Sequence, residues 1–281
     1  IRGRYPPGST LKMIGAIAAL ETGITDTLST FEACAGSLSV GDVVFHCNKL
    51  DGHGEMNLLE ATETSCNIYF HHLAQILGLE TWREYAGKFG FGQPTGIALE
   101  PSEFEGLLPS RQYYQERDGW TFGHLLNLVI GQGAMLVTPI QMARYTAAIA
   151  NGGYLVTPYL SGEPRERQPV EGITLATLEI VRKAMYQVVY GNRGTGRRVQ
   201  IDGIAIAAKT GTAQVPNRDN DAWFVAFAPY ETPTIAIAAV IEGGGGGGAV
   251  AGPIVRQVIE AYFKQSGTAD QAVTDTLLTA H

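Results

Sequence analysis

The stretch Tyr5–Gly23, YPPGSTLKMIGAIAALETG, decides the reading of this chain. Two prolines and a glycine lead to Ser9 and Lys12, three residues apart. Behind them Leu11, Ile14, Ile17 and Ala18 recur at helical spacing, which predicts a helix from Ser9 to about Glu21, closed by Gly23. A serine at a helix mouth stands beside unpaired backbone N–H groups and the positive end of the dipole. That suits a nucleophile, because a developing oxyanion can use the serine's own N–H. Lys12 lies on the same helix face and becomes a base if burial lowers its pKa. Alone, Ser-x-x-Lys equally describes a capping serine and a solvated lysine.

The rest of the chain gives this pair a context. Apolar residues make up 45% of the 281 positions, enough to bury a core. A net charge of −7 argues against a nucleic-acid binder, which would show a basic face. The longest apolar runs, such as TIAIAAVI at 234–241, are too short for a membrane helix and read as buried strands. Residues 28–56 are irregular. Asn57 reads as an N-cap with Glu60 at N3, and helical spacing follows from Ile68 to Leu77. Residues 90–120 read as loop. Helices are predicted over TPIQMARYTAAIANGG, over about 174–190 and over about 253–263. Three strand segments, DGIAIAAKTGTAQ, DAWFVAFAP and TPTIAIAAVIEGG, precede the last helix. The pattern is α+β, with a small antiparallel sheet packed with helices and an all-helical portion. Residues 265–281 read as a flexible tail.

Two further motifs join the first. SCN at Ser65–Asn67 supplies a second hydroxyl and an amide. KTGT at Lys209–Thr212 sits in the first late strand, where a lysine and two hydroxyls could hold a carboxylate and a backbone N–H could complete an oxyanion hole. The order SxxK, SxN, KTG at wide spacing is the set found in penicillin-binding proteins and class A β-lactamases. With GFGQPTGIALEPSEFEG, IGQGAMLVTPIQMARYTAAIANGG and DAWFVAFAP, the chain resembles the transpeptidase domain of a class B penicillin-binding protein from Tyr5 to Phe263. YPPGST and SCNIYF resemble the elongation (rod-system) subclass more than the division subclass.

The resemblance implies one transpeptidase domain over residues 1–264, with a helix-rich subdomain over about 24–200 between the SxxK helix and the KTG strand. It also implies roles. Ser9 attacks the penultimate D-Ala carbonyl of a peptidoglycan stem peptide, and Lys12 takes its proton. Ser65 relays a proton to the leaving group, and Asn67 and Lys209 hold the network. Thr210 and Thr212 bind the terminal carboxylate on the KTG strand with Gly211 between them, and the N–H groups of Ser9 and Thr212 form the oxyanion hole. β-Lactams acylate Ser9. The implied partners are the stem peptide and a membrane glycan polymerase of the elongation machinery, at an extracytoplasmic location. Catalysis needs no cofactor. The family's sheet also has strands before the SxxK helix. The chain opens only eight residues before Ser9, so it is expected to be part of something longer, lacking those strands and the family's membrane anchor.

The cysteines are the other strong feature. Cys34, Cys47 and Cys66 lie with His53 inside 33 residues, not at zinc-finger spacing but with the donor set of a closed tetrahedral zinc site. A Cys34–Cys47 disulfide and three unrelated buried thiols are the competing readings. An odd cysteine count and the permissive GHG around His53 favour structural zinc; His46 is a lower-ranked substitute ligand. Some elongation-type relatives resemble this, with a metal held by carboxylates, a histidine and the middle residue of SxN, here Cys66.

Rival functions are a serine β-lactamase, a D,D-carboxypeptidase and a non-catalytic sensor or scaffold. A β-lactamase needs a positioned base for hydrolysis, and no convincing glutamate stands at Glu100, Glu103 or Glu105. Other features take structural readings. GGGGGG at 243–248 joins the last strand to the last helix. Trp223 and Phe224 fill the core face of the sheet. Of His71 and His72, one is expected buried and one exposed. RERQ at 165–168 reads as a solvated loop, as do Tyr190, Arg193, Arg197 and Arg198, although these last could approach an acidic peptide.

Overall fold

The computed structural model describes residues 1–99, 103–162 and 167–266. Glu100, Arg165, Glu166 and the tail from 267 onward lie outside them, so the readings placed there are not addressed further.

A 3₁₀ turn, Gly8–Leu11, leads directly into α1 (Lys12–Glu21). The predicted single helix is thus a tight turn carrying Ser9, followed by an α-helix that begins at Lys12. Gly23 ends it as read, with Ile24 N–H on the Ala19 carbonyl and Gly23 N–H on the Leu20 carbonyl. The region read as irregular contains a hairpin, β1 (Ser37–Val40) and β2 (Val43–His46), turning at Gly41-Asp42.

Helices α2 (Leu58–Glu63), α3 (Asn67–Leu77) and α4 (Leu79–Lys88) follow. The capping box at Asn57 and Glu60 is present as read. α4 was not anticipated: it starts one residue after α3 ends, with Gly78 serving both helices. The region read as loop holds a short α5 (Arg111–Gln115), and α6 (Phe122–Val129) follows it, also unread. Then come α7 (Pro139–Ala150), a two-residue pair β3 (Tyr154–Leu155) and β4 (Gln168–Pro169), and α8 (Leu175–Tyr190), capped by Thr174.

The three late strand segments form one antiparallel sheet in the order β5 (Ala207–Ala213), β6 (Asp221–Ala228), β7 (Ile235–Ile241), and α9 (Ala251–Ser266) closes the chain. β6 is buried along its whole length because both its faces are covered. Trp223, Val225 and Phe227 point into the main helical core. Phe224, Ala226 and Ala228 point to a second core made with Val255, Ile259 and Phe263 of α9. Trp223 and Phe224 therefore fill opposite faces of the sheet, correcting their assignment to one. Among the described residues no helix is long and apolar enough to cross a membrane.

Candidate active site

Three segments far apart in sequence meet at a cleft of about 900 Å³. Ser9, Ser65, Asn67, Thr210, Gly211 and Thr212 all line it, so the three motifs read from sequence come together.

Close backbone approach sets their spacing. Register pairs Gly211 with Trp223 on β6. A Cβ on Gly211 would lie 2.9 Å from Trp223 Cβ, 3.0 Å from Thr10 Cγ2 and 3.1 Å from the Pro7 carbonyl oxygen. Any side chain there would lift the Ser9 turn off the strand. Gly8, at φ +55°, repeats this from the other side, with its missing Cβ 2.9 Å from the Thr212 carbonyl oxygen. Trp223 Nε1–H donates to the Pro6 carbonyl and Tyr5 exchanges backbone bonds with Val137, so the segment before Ser9 is pinned at both ends.

Lys12 and Lys209 are both fully buried. Lys12 Nζ donates to the Ser65 carbonyl at 2.7 Å and to Asn67 Oδ1 at 2.8 Å, with Ser65 Oγ at 3.3 Å. Its bonds thus run to the SxN motif rather than to Ser9. Lys209 Nζ reaches the same Ser65 Oγ at 2.8 Å and the Thr210 carbonyl at 3.0 Å. Burial lowers the Lys12 pKa to about 8, against an opposing pull from the Cys66 and Cys47 sulfurs. Burial, then the neighbouring Lys12 charge, push Lys209 well below the ordinary lysine value. Ser65 is held at φ +57°, an uncommon conformation for a residue with a side chain. Asn67 opens α3 and its amide donates to the His46 carbonyl, tying the SxN turn to the β1–β2 hairpin.

That hairpin also brings the cysteines together. Cys34 Sγ, Cys47 Sγ, Cys66 Sγ and one His53 ring nitrogen all lie within 4.8 Å of one another. Cys47 and Cys66 sulfurs are 3.8 Å apart, and His53 Nδ1 is 3.4 Å from Cys47 and 3.7 Å from Cys34. The three cysteines are free, so the disulfide reading does not describe this structure. The Cys66 thiol and then His53 hold Cys47 below the ordinary thiol value, while Cys47 and burial push Cys66 up. His46 is not part of the cluster; it faces the cleft.

Several readings change with the structure. Gly246, Gly247 and Gly248 of the six-glycine run line the cleft, besides joining β7 to α9. Arg197 and Arg198 line it too, while no aspartate or glutamate does among the described residues. Glu103 is spent on a loop, accepting from the backbone of Thr95 and Gly96, and neither it nor Glu105 lines the cleft. His71 is the buried member of its pair and His72 is half-buried. Thr195 and Gln132, which sequence reading passed over, stand beside the KTG strand: Thr195 Oγ1 is 2.8 Å from Thr210 Oγ1, and Gln132 Nε2–H donates to the Thr212 carbonyl. No local pattern marks Thr195, and Gln132, inside the IGQGAM stretch that carries the family resemblance, meets Thr212 through a contact closed only by the fold.

Residues 1–260 match the family described as "Penicillin binding protein transpeptidase domain". The chain belongs to this family. It is 33% identical over 294 residues to peptidoglycan D,D-transpeptidase MrdA of Haemophilus influenzae, covering 94% of this chain and 45% of that protein. Penicillin-binding protein PBP2 of Helicobacter pylori, solved in a complex with MreC, superposes with a TM-score of 0.85 at 33% identity, over 92% of this chain and 50% of that one. PBP2 of Pseudomonas aeruginosa, solved with WCK 5153, gives 0.85 at 37% identity, over 94% and 62%. The chain spans about half the length of the curated relatives it matches. These likenesses agree with the elongation-type resemblance and with the α+β fold read from sequence.

Proposed function

We propose that this chain is a peptidoglycan D,D-transpeptidase domain that works through an acyl-enzyme on Ser9. The observation that carries this is the convergence of two buried lysines on one serine hydroxyl, beside a second serine and an edge strand. Neutral Lys12 takes the Ser9 hydroxyl proton as Oγ attacks the penultimate D-Ala carbonyl. The oxyanion is held by the backbone N–H groups of Ser9 and Thr212. When the C–N bond breaks, Ser65 Oγ–H protonates the departing D-Ala amine and is resupplied through its bonds to Lys12 and Lys209. An amine of a second stem peptide then attacks the ester, and its proton returns along the same path. Thr210 and Thr212 receive the substrate's terminal carboxylate. β-Lactams, which present a reactive carbonyl and a carboxylate, acylate Ser9 by the same first step; the name of the family supports this.

The cleft holds no carboxylate placed to activate a hydrolytic water, which favours cross-linking over a β-lactamase among the described residues. The MrdA and PBP2 names of its relatives, one of them in complex with MreC, support a role outside the cytoplasm in the elongation machinery, with the glycan polymerase as a further partner. The deciding test is intact mass with benzylpenicillin. A stable one-drug adduct in the parent, absent in Ser9→Ala, is expected. No adduct overturns the assignment, and rapid loss of the adduct makes the protein a β-lactamase.

A second reading rests on its own observation. We infer that Cys34, Cys47, His53 and Cys66 hold a structural zinc ion. Tetrahedral zinc with bonds of about 2.3 Å to sulfur and about 2.0 Å to nitrogen sets its ligands about 3.5–3.8 Å apart, matching the spacing between Cys47, Cys66 and His53. Four protein ligands leave no open position, so the ion would supply rigidity to the turn bearing Ser65 and Asn67, and no chemistry. Elemental analysis showing about one zinc per chain supports this reading; metal-free folded protein refutes it.

A further inference from the structure

The KTG threonine has a support that no catalytic motif contains. Glu63, the last residue of α2 and nearly buried, accepts the Arg193 N–H at 2.6 Å through its carboxylate. Its carbonyl faces the backbone N–H and hydroxyl of Thr195, each at 3.4 Å. The loop between α8 and β5 is thereby tied to the helix end that stands two residues before Ser65. From that loop Thr195 Oγ1 reaches Thr210 Oγ1 at 2.8 Å. Among the described residues, no other side chain is bonded to the Thr210 hydroxyl.

We propose that Thr195 is a positioning residue for the substrate carboxylate, orienting the Thr210 hydroxyl so that its proton points into the cleft. A hydroxyl has one proton to give and two lone pairs. If Thr210 donates to a carboxylate, its contact with Thr195 must be one in which Thr195 donates. Thr195 is free to do so, because its alternative acceptor, the Glu63 carbonyl, is at the long limit of hydrogen bonding. A donor feeding Thr210 also polarises that hydroxyl and strengthens its bond to an anion. With Thr195 absent, Thr210 can still occupy its place on β5 but loses its preferred proton direction. This inference rests on the acyl-enzyme reading, in which Thr210 meets the carboxylate.

The test compares acylation rate constants for benzylpenicillin and for its methyl ester, in which the carboxylate is masked. Thr195→Val is nearly isosteric and removes only the hydroxyl. It is expected to slow acylation by benzylpenicillin about three- to tenfold, the range of one hydrogen bond, and to leave the ester's rate unchanged. Thr195→Ser restores the rate. In a Thr210→Val background, Thr195→Val adds no further loss, because the two act through one bond. Thr195→Ala gives the same comparison should the valine variant fail to fold. Equal losses on both compounds, additive losses in the double variant, or no loss at all overturn the proposal. A parent that benzylpenicillin does not acylate overturns the reading of the cleft itself. A parent that is acylated, with Thr195→Val unaffected, overturns only the role of Thr195.

Discussion

Lys12 and Lys209 approach the same oxygen, Ser65 Oγ, at 3.3 and 2.8 Å. Both ammonium groups are out of water and neither has a carboxylate partner among the described residues, an arrangement that favours the neutral amine. The Ser65 hydroxyl can donate to one nitrogen while accepting from the other, so it can pass a proton between them without moving far. Ser65, whose backbone holds the uncommon φ of +57°, presents this oxygen to Lys12 of α1 and Lys209 of β5.

The first prediction follows from the protonation state of Lys12. Its pKa is lowered from the ordinary lysine value to about 8, and the active form is the neutral one. Acylation by benzylpenicillin should therefore rise with pH, climb most steeply around pH 8 and level off above it. Lys12→Arg, whose guanidinium stays protonated, should lose about 10²- to 10⁴-fold, the usual worth of a general base. Stopped-flow acylation rates between pH 6 and 10 check both. A flat profile would remove Lys12 from the role of base.

A second prediction concerns the turn that carries the nucleophile. Gly8→Ala places a methyl group against the Thr212 carbonyl and asks a side-chain-bearing residue to hold φ +55°, at a cost of about 1–2 kcal/mol. The turn can relieve this only by shifting Ser9 relative to β5. Displacing a reacting group by an ångström costs up to about a hundredfold in rate. Acylation should thus fall by far more than the melting temperature suggests, and a paired measurement of the two decides it.

What the sequence disclosed was local or chemical. The Asn57–Glu60 capping box and the Pro139 start of α7 are short-range signals, and both are present. The SxxK, SxN and KTG residues were legible as chemistry, and the fold brings them to one cleft. Cys34, Cys47, His53 and Cys66 were legible as a possible donor set, and their side chains converge as well. The misses have tertiary causes. α4 follows α3 with no loop between, so its start carries no polar interruption. The β1–β2 strands are four residues each, too short for a clear period, and their exposed Val43 and Val44 hide the alternation. Thr195 and the cleft-lining glycines owe their positions to partners tens to more than a hundred residues away.

A third prediction tests the metal cluster through stability. Removing a bound structural ion, by chelation or by Cys47→Ser, should lower the melting temperature by about 5–10 °C, the shift expected for a few kcal/mol in a chain of this size. Acylation should slow as well, since the Asn67 N–H donates to Cys47 Sγ and the turn bearing Ser65 is held from that side. Calorimetry before and after chelation, followed by zinc readdition, checks it. A melting temperature indifferent to chelator would leave the four residues as ordinary packing.

The fourth prediction comes from charge. The chain carries a net charge of −7, yet the cleft is lined by Arg197 and Arg198 and by no carboxylate among the described residues. Both residues are exposed, and among the described residues their guanidiniums bond to backbone oxygens, of Asn192 and Ala249, each at 3.3 Å. An acidic protein that keeps cations without a carboxylate partner among the described residues at one cleft sets up a local field favouring anions, and such focusing speeds encounter by about tenfold or more at low salt. Arg197→Gln with Arg198→Gln should therefore slow acylation by an anionic stem peptide about tenfold at low ionic strength, with the difference shrinking as salt is added. An uncharged analogue should be unaffected. Arg256→Gln, which removes a cation already paired with Glu260 on the exposed side of α9, should do neither. Rates across a salt series separate these outcomes, because loss of structure would slow both substrates at every ionic strength, whereas loss of steering spares the uncharged one.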